Sequence, residues 1–416
     1  MTEQKKLPTS QTILFFFPQN PYPPRSGAHV RCLEILSGLT KLNYNVIFLY
    51  ANRYSENRED TETAEYLKKT GVREVFFFQG SFFEYLLSAL IRRVYLLCNR
   101  IPPPGSYKYT PKRMRTWFKR LQTQFSPEII WMNYSNNDSL VDRHSIRATK
   151  HVIDYHDLVS VNHRMLIAVK RCFSRRRPFK VMDTAILDEH FFSDRSFPLD
   201  PRELEVLMKY DVIVAISPNE AEMLRQFCRD KTVIYLPVTF PAAYLENSYT
   251  GPALFATGPN AFNLQGFFYF TEKVLPNIQK HVHDFKLDVS GSVSEEVRTV
   301  PGITLRGFVE DLRHYYGTAR FAICPVLGGT GQQIKIVEAM AYGLPVVVTR
   351  FSARTSPIVH GQTGFVAEDA QEFAEYCILL WQDPNLCRKI GEAARETIRE
   401  KYSEDLLQKK LSEVVK

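Results

Sequence analysis

No two of the seven cysteines, Cys32, Cys98, Cys172, Cys228, Cys324, Cys377 and Cys387, share C-x-x-C spacing. That argues against a zinc ribbon or a disulfide framework and fits a reducing cytosol. The chain also lacks Asp-x-Asp, a Walker A sequence, a G-x-S-x-G elbow and H-E-x-x-H. A carboxylate clamp for a diphosphate-bound metal, NTP hydrolysis, serine hydrolysis and zincin chemistry are therefore without motif support. Long hydrophobic runs are missing too. Ile13–Phe17, behind Lys5 and Lys6, stops at Pro18, and Phe82–Cys98 is broken by Glu84, Arg92 and Arg93. Neither suits a signal-peptide core or a membrane span, so no transmembrane helix is expected.

What is present is globular. The 416 residues are 44% hydrophobic and 24% charged, with 29 Phe and 21 Tyr. That length favours two domains over one. A formal charge of +8 favours an anionic ligand or surface. A nucleotide, a nucleic acid and an acidic membrane would all fit.

Buried-strand runs alternate with helical periodicity along the first half: Ile13–Phe17, helix Val30–Leu42, then Val46–Tyr50, Val72–Phe78, Ile129–Met132, His151–Tyr155, Val212–Ile216 and Val233–Leu236. After the turn-rich Pro237–Gly251 the alternation restarts. It gives strands at Ala253–Thr257, Lys286–Ser290, Ile303–Arg306, Phe321–Val326 and Val346–Thr349, helices at Leu264–Lys280 and Asp311–Thr318, and a helical tail. This predicts an α/β chain of two Rossmann-like, doubly wound parallel-sheet domains, 1–240 and 241–402, facing a cleft.

The stretch Gly328–Thr349, GGTGQQIKIVEAMAYGLPVVVT, reads as a glycine turn, a helix and a buried strand. Gly328, Gly329 and Gly331 let backbone N–H groups approach a ligand, and a helix N-terminus behind them suits phosphate or hydroxyl groups. Lys335 and Glu338 fall on one helical face, a cation and a carboxylate beside that turn.

This stretch, with GFVEDLRHYYGTARFAICPV before it and HGQTGFVAED after it, resembles the family 4 retaining glycosyltransferases (glycosyl transferases group 1) of GT-B fold. PYPPRSGAHVRCLEILSGL, HVIDYHDLVS, DVIVAISPNEAEML and ATGPNAFNLQGFFYFTEKVLP are similar to other parts of that family. The likeness spans nearly the whole chain and is looser over 1–237. It implies transfer of a sugar from a nucleotide-sugar donor, held mainly by the second domain, to an acceptor hydroxyl near the first, with anomeric retention. It also implies that a final helix, about 403–416, packs back on the first domain.

Residue by residue, the resemblance gives Glu338 the ribose hydroxyls, as second acid of an E-x7-E pattern; a solvated helix glutamate is the bland alternative. Thr330 stands where the first acid would be. The family's Arg/Lys pair is absent from GPNAFNLQG, which contains the donor-contact positions Gly258 and Asn263. Lys335 is then the cation expected at the diphosphate, or else a surface lysine. Gln332 and Gln333 are polar contacts or helix caps. His156 is expected near the donor sugar, with Asp154 and Asp157 orienting it, meeting the acceptor or capping the next helix. Ser26 and Gly27 match the diphosphate- and acceptor-facing loop, and Arg306, Phe308 and Val309 the base site. The catalytic set is His156, Lys335 and Glu338, with no divalent metal and no cofactor.

Two basic stretches, Arg92–Arg120 and Lys170–Lys180, are solvated helix faces or contacts for an anionic membrane or a lipid-linked acceptor. No nucleic-acid module accompanies them. A cytoplasmic enzyme of glycan, polysaccharide or glycolipid synthesis, at most peripheral to the inner membrane face, is the expectation. An NDP-sugar epimerase or phosphorylase and a non-catalytic sugar-nucleotide binder are the rivals.

Overall fold

The computed structural model describes residues 11–24, 26–52, 57–97, 110–144, 149–240, 242–258 and 260–416. Lys5, Lys6, Cys98 and positions 98–109 of the first basic stretch lie outside them. The chain divides into two compact units: residues 1–160, 199–238 and 407–416, and residues 161–198 and 239–406.

In unit 1 the strands are β1 (Thr12–Phe17), β2 (Asn45–Asn52), β3 (Glu74–Gln79), β4 (Ile129–Asn133), β5 (Lys150–Tyr155), β6 (Val212–Ala215) and β7 (Thr232–Tyr235). Among the described residues they form one sheet in the order β3-β2-β1-β4-β5-β6-β7, every pair parallel. Runs such as Ile13–Phe17 and Ile129–Met132 are apolar at every position because both faces of such a sheet are covered. The helix Gly27–Lys41 follows β1, its first turn capped by Ser26, whose hydroxyl accepts from the His29 amide. Leu407, Leu411, Val414 and Val415 of the last helix, Glu404–Val415, join the core formed with Cys32, Ile35, Leu36 and Leu39. Contact is tight there: a Cβ on Gly38 would lie 2.3 Å from Leu411 Cδ1.

Unit 2 holds β8 (Ala253–Ala256), β9 (Leu287–Ser290), β10 (Ile303–Gly307), β11 (Ala322–Cys324), β12 (Val346–Thr349) and β13 (Gly364–Ala367). Its parallel sheet runs β10-β9-β8-β11-β12-β13. The segment expected as one helix from Leu264 to Lys280 is helical from Ala261 to Gln279, with a π-helical turn at Phe270–Val274. Residues 161–198, on the first-domain side of a boundary at 240, cluster with unit 2. There Phe173, Ile186, Leu187, Phe191 and Phe192 enter its core.

In each sheet the strand order reverses once, between β1 and β4 and between β8 and β11. The carboxyl ends of strands at such switch points are where open α/β sheets bind ligands.

Candidate functional site

In unit 2, two loops leave the sheet at its switch point. The one after β8 carries Gly258 and ends at Asn260, whose side chain accepts from the amides of Phe262 and Asn263 at 2.8 and 3.0 Å and so starts the next helix. Asn263 donates from Nδ2 to the Gly258 carbonyl at 2.9 Å, which leaves its Oδ1 facing Lys335. Lys335 Nζ donates to that oxygen and stands 5.5 Å from the centre of the Phe255 ring. Burial pushes the Lys335 ammonium below its ordinary range.

The loop after β11 carries the three glycines. Gly329 and Gly331 have φ of +119° and +77°, a backbone region that favours glycine. Gly328 has a different reason to be small: a Cβ there would sit 2.1 Å from the Phe192 ring. Its bareness serves packing, rather than the ligand approach that the sequence suggests. Thr330 Oγ1 accepts from Asn162 Nδ2 at 2.9 Å. Gln332 is buried, and Gln333 holds the cap position of the helix Ile334–Ala341 without a side-chain capping bond. The helix closes in a Schellman turn: Gly343, at φ +78°, donates to Met340 O and Leu344 to Ala339 O.

Glu338 lies one turn beyond Lys335, half-buried against Tyr316, which stacks on Tyr342 at 4.9 Å. Burial raises its carboxyl to about 7, the Tyr316 phenol pulling weakly the other way. Arg306 falls at a register shift between β10 and β9, exposed and 3.1 Å from Asp288. Phe308 is exposed and Val309 half-buried beyond it.

In unit 1, Asp154 is fully buried and receives Arg31 through Nε at 2.9 Å and Nη2 at 2.7 Å, while Arg31 Nη1 donates to Leu236 O at 2.6 Å. Burial alone would raise Asp154, but Arg31 and His156 outweigh it and hold the carboxyl at about 2. Asn133 donates from Nδ2 to Phe16 O at 2.8 Å, which turns its Oδ1 to His156 Nε2 at 2.6 Å. Asp154 Oδ2 is 3.3 Å from the same nitrogen. With two acceptors facing it, Nε2 carries the proton, and in the neutral ring Nδ1 is an acceptor. That Nδ1 is buried with no hydrogen-bond partner among the described residues. The ring stacks on Tyr134 at 4.5 Å. Tyr134 has φ +64°, a strained setting for a non-glycine residue.

Asp154 therefore orients His156 rather than capping a helix. The first amides of the helix Val159–Arg171 go instead to Glu203, from Val159 at 3.1 Å and Ser160 at 2.9 Å. Asp157 is half-buried, and its charge pushes the Tyr134 and Tyr155 phenols upward after burial has done so. Gly27 begins the helix that Ser26 caps. Arg31, Asn133, Tyr134, Asn162 and Tyr316 were missed from sequence. A buried arginine among apolar helix positions was the one signal available for Arg31.

Outside this set, unit 2 has a cavity of about 250 Å³ lined by Glu189, His190, Thr349, Arg350, Phe351 and Glu368 among others. Among the described residues no group of three or more His, Cys, Asp or Glu could hold a metal ion, and no helix is long and apolar enough to cross a membrane.

Residues 251–383 match the family described as glycosyl transferases group 1. An uncharacterised 44.6 kDa protein of the Klebsiella pneumoniae cps region is 27% identical over 233 residues, 51% of this chain and 58% of that protein. The Staphylococcus aureus capsular polysaccharide biosynthesis glycosyltransferase CapM is 27% identical over 113 residues, 27% of this chain and 30% of CapM. The match thus spans less than two thirds of either relative. The Anabaena protein HepE, solved with UDP and glucose, superposes with a TM-score of 0.64 at 13% identity, covering 97% of this chain and 99% of that one. The chain thus has two parallel sheets of GT-B fold, and residues 251–383 of it match the glycosyl transferases group 1 family.

Proposed function

We propose that the chain is a retaining glycosyltransferase that moves a sugar from a nucleotide-sugar donor to an acceptor hydroxyl, in capsule or related polysaccharide synthesis. The observation that carries this reading is the placement of Lys335 and Glu338 one helical turn apart, both half-buried and shifted toward neutrality by burial, behind a glycine turn at a switch point of the segment that matches group 1. A carboxylate at Glu338 would accept two hydrogen bonds from a ribose diol, the stronger, charge-assisted kind. Lys335 and the amides of the turn would take the charge that develops on the departing diphosphate. In unit 1, the His156 Nδ1 is the acceptor that would take a sugar hydroxyl. The acceptor hydroxyl attacks from the face the diphosphate leaves; the C–O bond to the acceptor forms, the bond to phosphate breaks, and the phosphate oxygen takes the proton.

A relative named for capsular polysaccharide biosynthesis, another named for its place in a cps region, and a fold neighbour solved with UDP and glucose support this reading. A cytoplasmic, membrane-peripheral placement belongs to it, as does turnover without a divalent metal. A thermal-shift screen of nucleotide sugars would find the donor, since a ligand of the native state raises its melting temperature. Transfer assays with the hit should then give product of the donor's anomeric configuration, undiminished by EDTA. Loss of turnover in EDTA with recovery in Mn²⁺ would overturn the metal-free mechanism. Donor binding with no transfer over a broad acceptor panel would favour a binding protein instead.

A further inference from the structure

The helix Phe82–Leu97 of unit 1 leaves apolar surface uncovered. Phe82 and Phe83 are each 71% exposed, and Leu86, Leu90 and Val94 are 49%, 58% and 50% exposed. Positions 82, 86, 90 and 94 recur every fourth residue and so share one side of the helix, with exposed Arg93 at its edge. Glu84 is buried, and Leu87, Ile91 and Tyr95 are half-buried on the other side. Exposed apolar residues are ordinarily scattered singly; a contiguous run on one helix marks an interaction face.

Charge identifies what would cover it. The next described helix, Lys112–Phe125, exposes Lys112, Arg113, Arg115, Lys119 and Arg120 and contains no acidic residue. The two helices are joined at their first turns by Arg113 and Glu84, 3.2 Å apart. Among the described residues, Arg113 pairs with Glu84 and Lys119 with Asp142, and the face remains strongly basic. A partner must therefore offer negative charge outside and an apolar interior within reach. An anionic bilayer does both; a nucleic acid offers no aliphatic phase. At 16 residues the helix is about 24 Å long, short of the hydrocarbon core, and Glu84 and Arg93 also suit it to lie in the interface.

We propose that the apolar stripe of Phe82–Leu97, with the basic face of Lys112–Phe125, docks unit 1 on an anionic lipid surface. This deepens the membrane-peripheral part of the reading above. It uses none of the residues assigned to the donor, so its failure leaves donor binding untouched.

The test is co-sedimentation of the full chain with vesicles of phosphatidylcholine alone or mixed with phosphatidylglycerol. Pelleting should require phosphatidylglycerol and weaken as salt rises. Leu86→Glu with Leu90→Glu should abolish it without altering the circular dichroism, and Lys112→Ala with Arg120→Ala should weaken it roughly fivefold per charge removed. As an independent readout, Leu90→Trp emission should shift to the blue only on anionic vesicles. No pelleting of the wild type at low salt would overturn the proposal. So would wild-type pelleting by the glutamate variant, or a wild-type dimer that the same variant converts to monomer.

Discussion

The molecule buries charge twice, in opposite ways. In unit 1, Arg31, Asp154 and His156 answer one another, and the aspartate is held at about 2, fully committed to its charge. In unit 2, Lys335 and Glu338 are half-buried, the lysine bonded to Asn263 Oδ1, and no ion pair to either is seen among the described residues. Burial drives both toward neutrality, the lysine downward and the glutamate to about 7. A buried pair with all its bonds made is architecture. Two half-buried charges with no ion pair among the described residues are what the diphosphate and ribose diol of the proposed donor would complete.

The largest effect that could break this contrast is on stability. Asp154→Ala strands the Arg31 guanidinium in the core and should cost about 3–5 kcal/mol in denaturant unfolding. Glu338→Gln removes a charge that burial opposes, and should change stability at neutral pH by less than ~1 kcal/mol or raise it. Equal losses would erase the distinction.

A smaller effect is the sign of the pH dependence. Glu338 titrates near 7 in the native state against 4.5 ordinarily, so the native state keeps a proton that the unfolded state has lost between those values. Its contribution should make stability fall as pH rises from about 4.5 to about 7, by at most ~1.4 kcal/mol per pH unit. Asp154 acts the other way: depressed from 3.8 to about 2, it stabilises above its ordinary value, and that stability is lost as pH falls toward 2. Glu338→Gln should flatten the first slope and leave the second. A flattened slope at low pH would mean that the two clusters are coupled.

Much of the fold was legible because parallel strands buried on both faces are unbroken apolar runs, and Ile13–Phe17 or Val346–Thr349 can be read in no other setting so simply. The Ser26 cap and the Gly343 stop are local signals with local causes. β13 escaped because Gly364–Ala367 is four residues long and begins with glycine. The allegiance of 161–198 escaped for a different reason. Periodicity says that Phe191 and Phe192 are buried, yet not in which core. Chemistry at the site divides likewise. Lys335 and Glu338 could be named from one helix face, whereas Arg31 needs Asp154, 123 residues away, before its burial makes sense. Asn133 and Tyr134 carry no signal in sequence, since one acts through an amide orientation and the other through a backbone angle.

The most direct measurement is calorimetric affinity for the donor found by thermal shift, in wild type and Glu338→Gln, at pH 6 and pH 8. If Glu338 receives the ribose diol as a carboxylate, wild-type affinity should be higher at pH 8, with proton release on binding at pH 6. Glu338→Gln should bind on the order of tenfold or more weakly at pH 8 and lose the proton linkage. Equal wild-type and Glu338→Gln affinities at both pH values, with no proton released, would contradict the assignment.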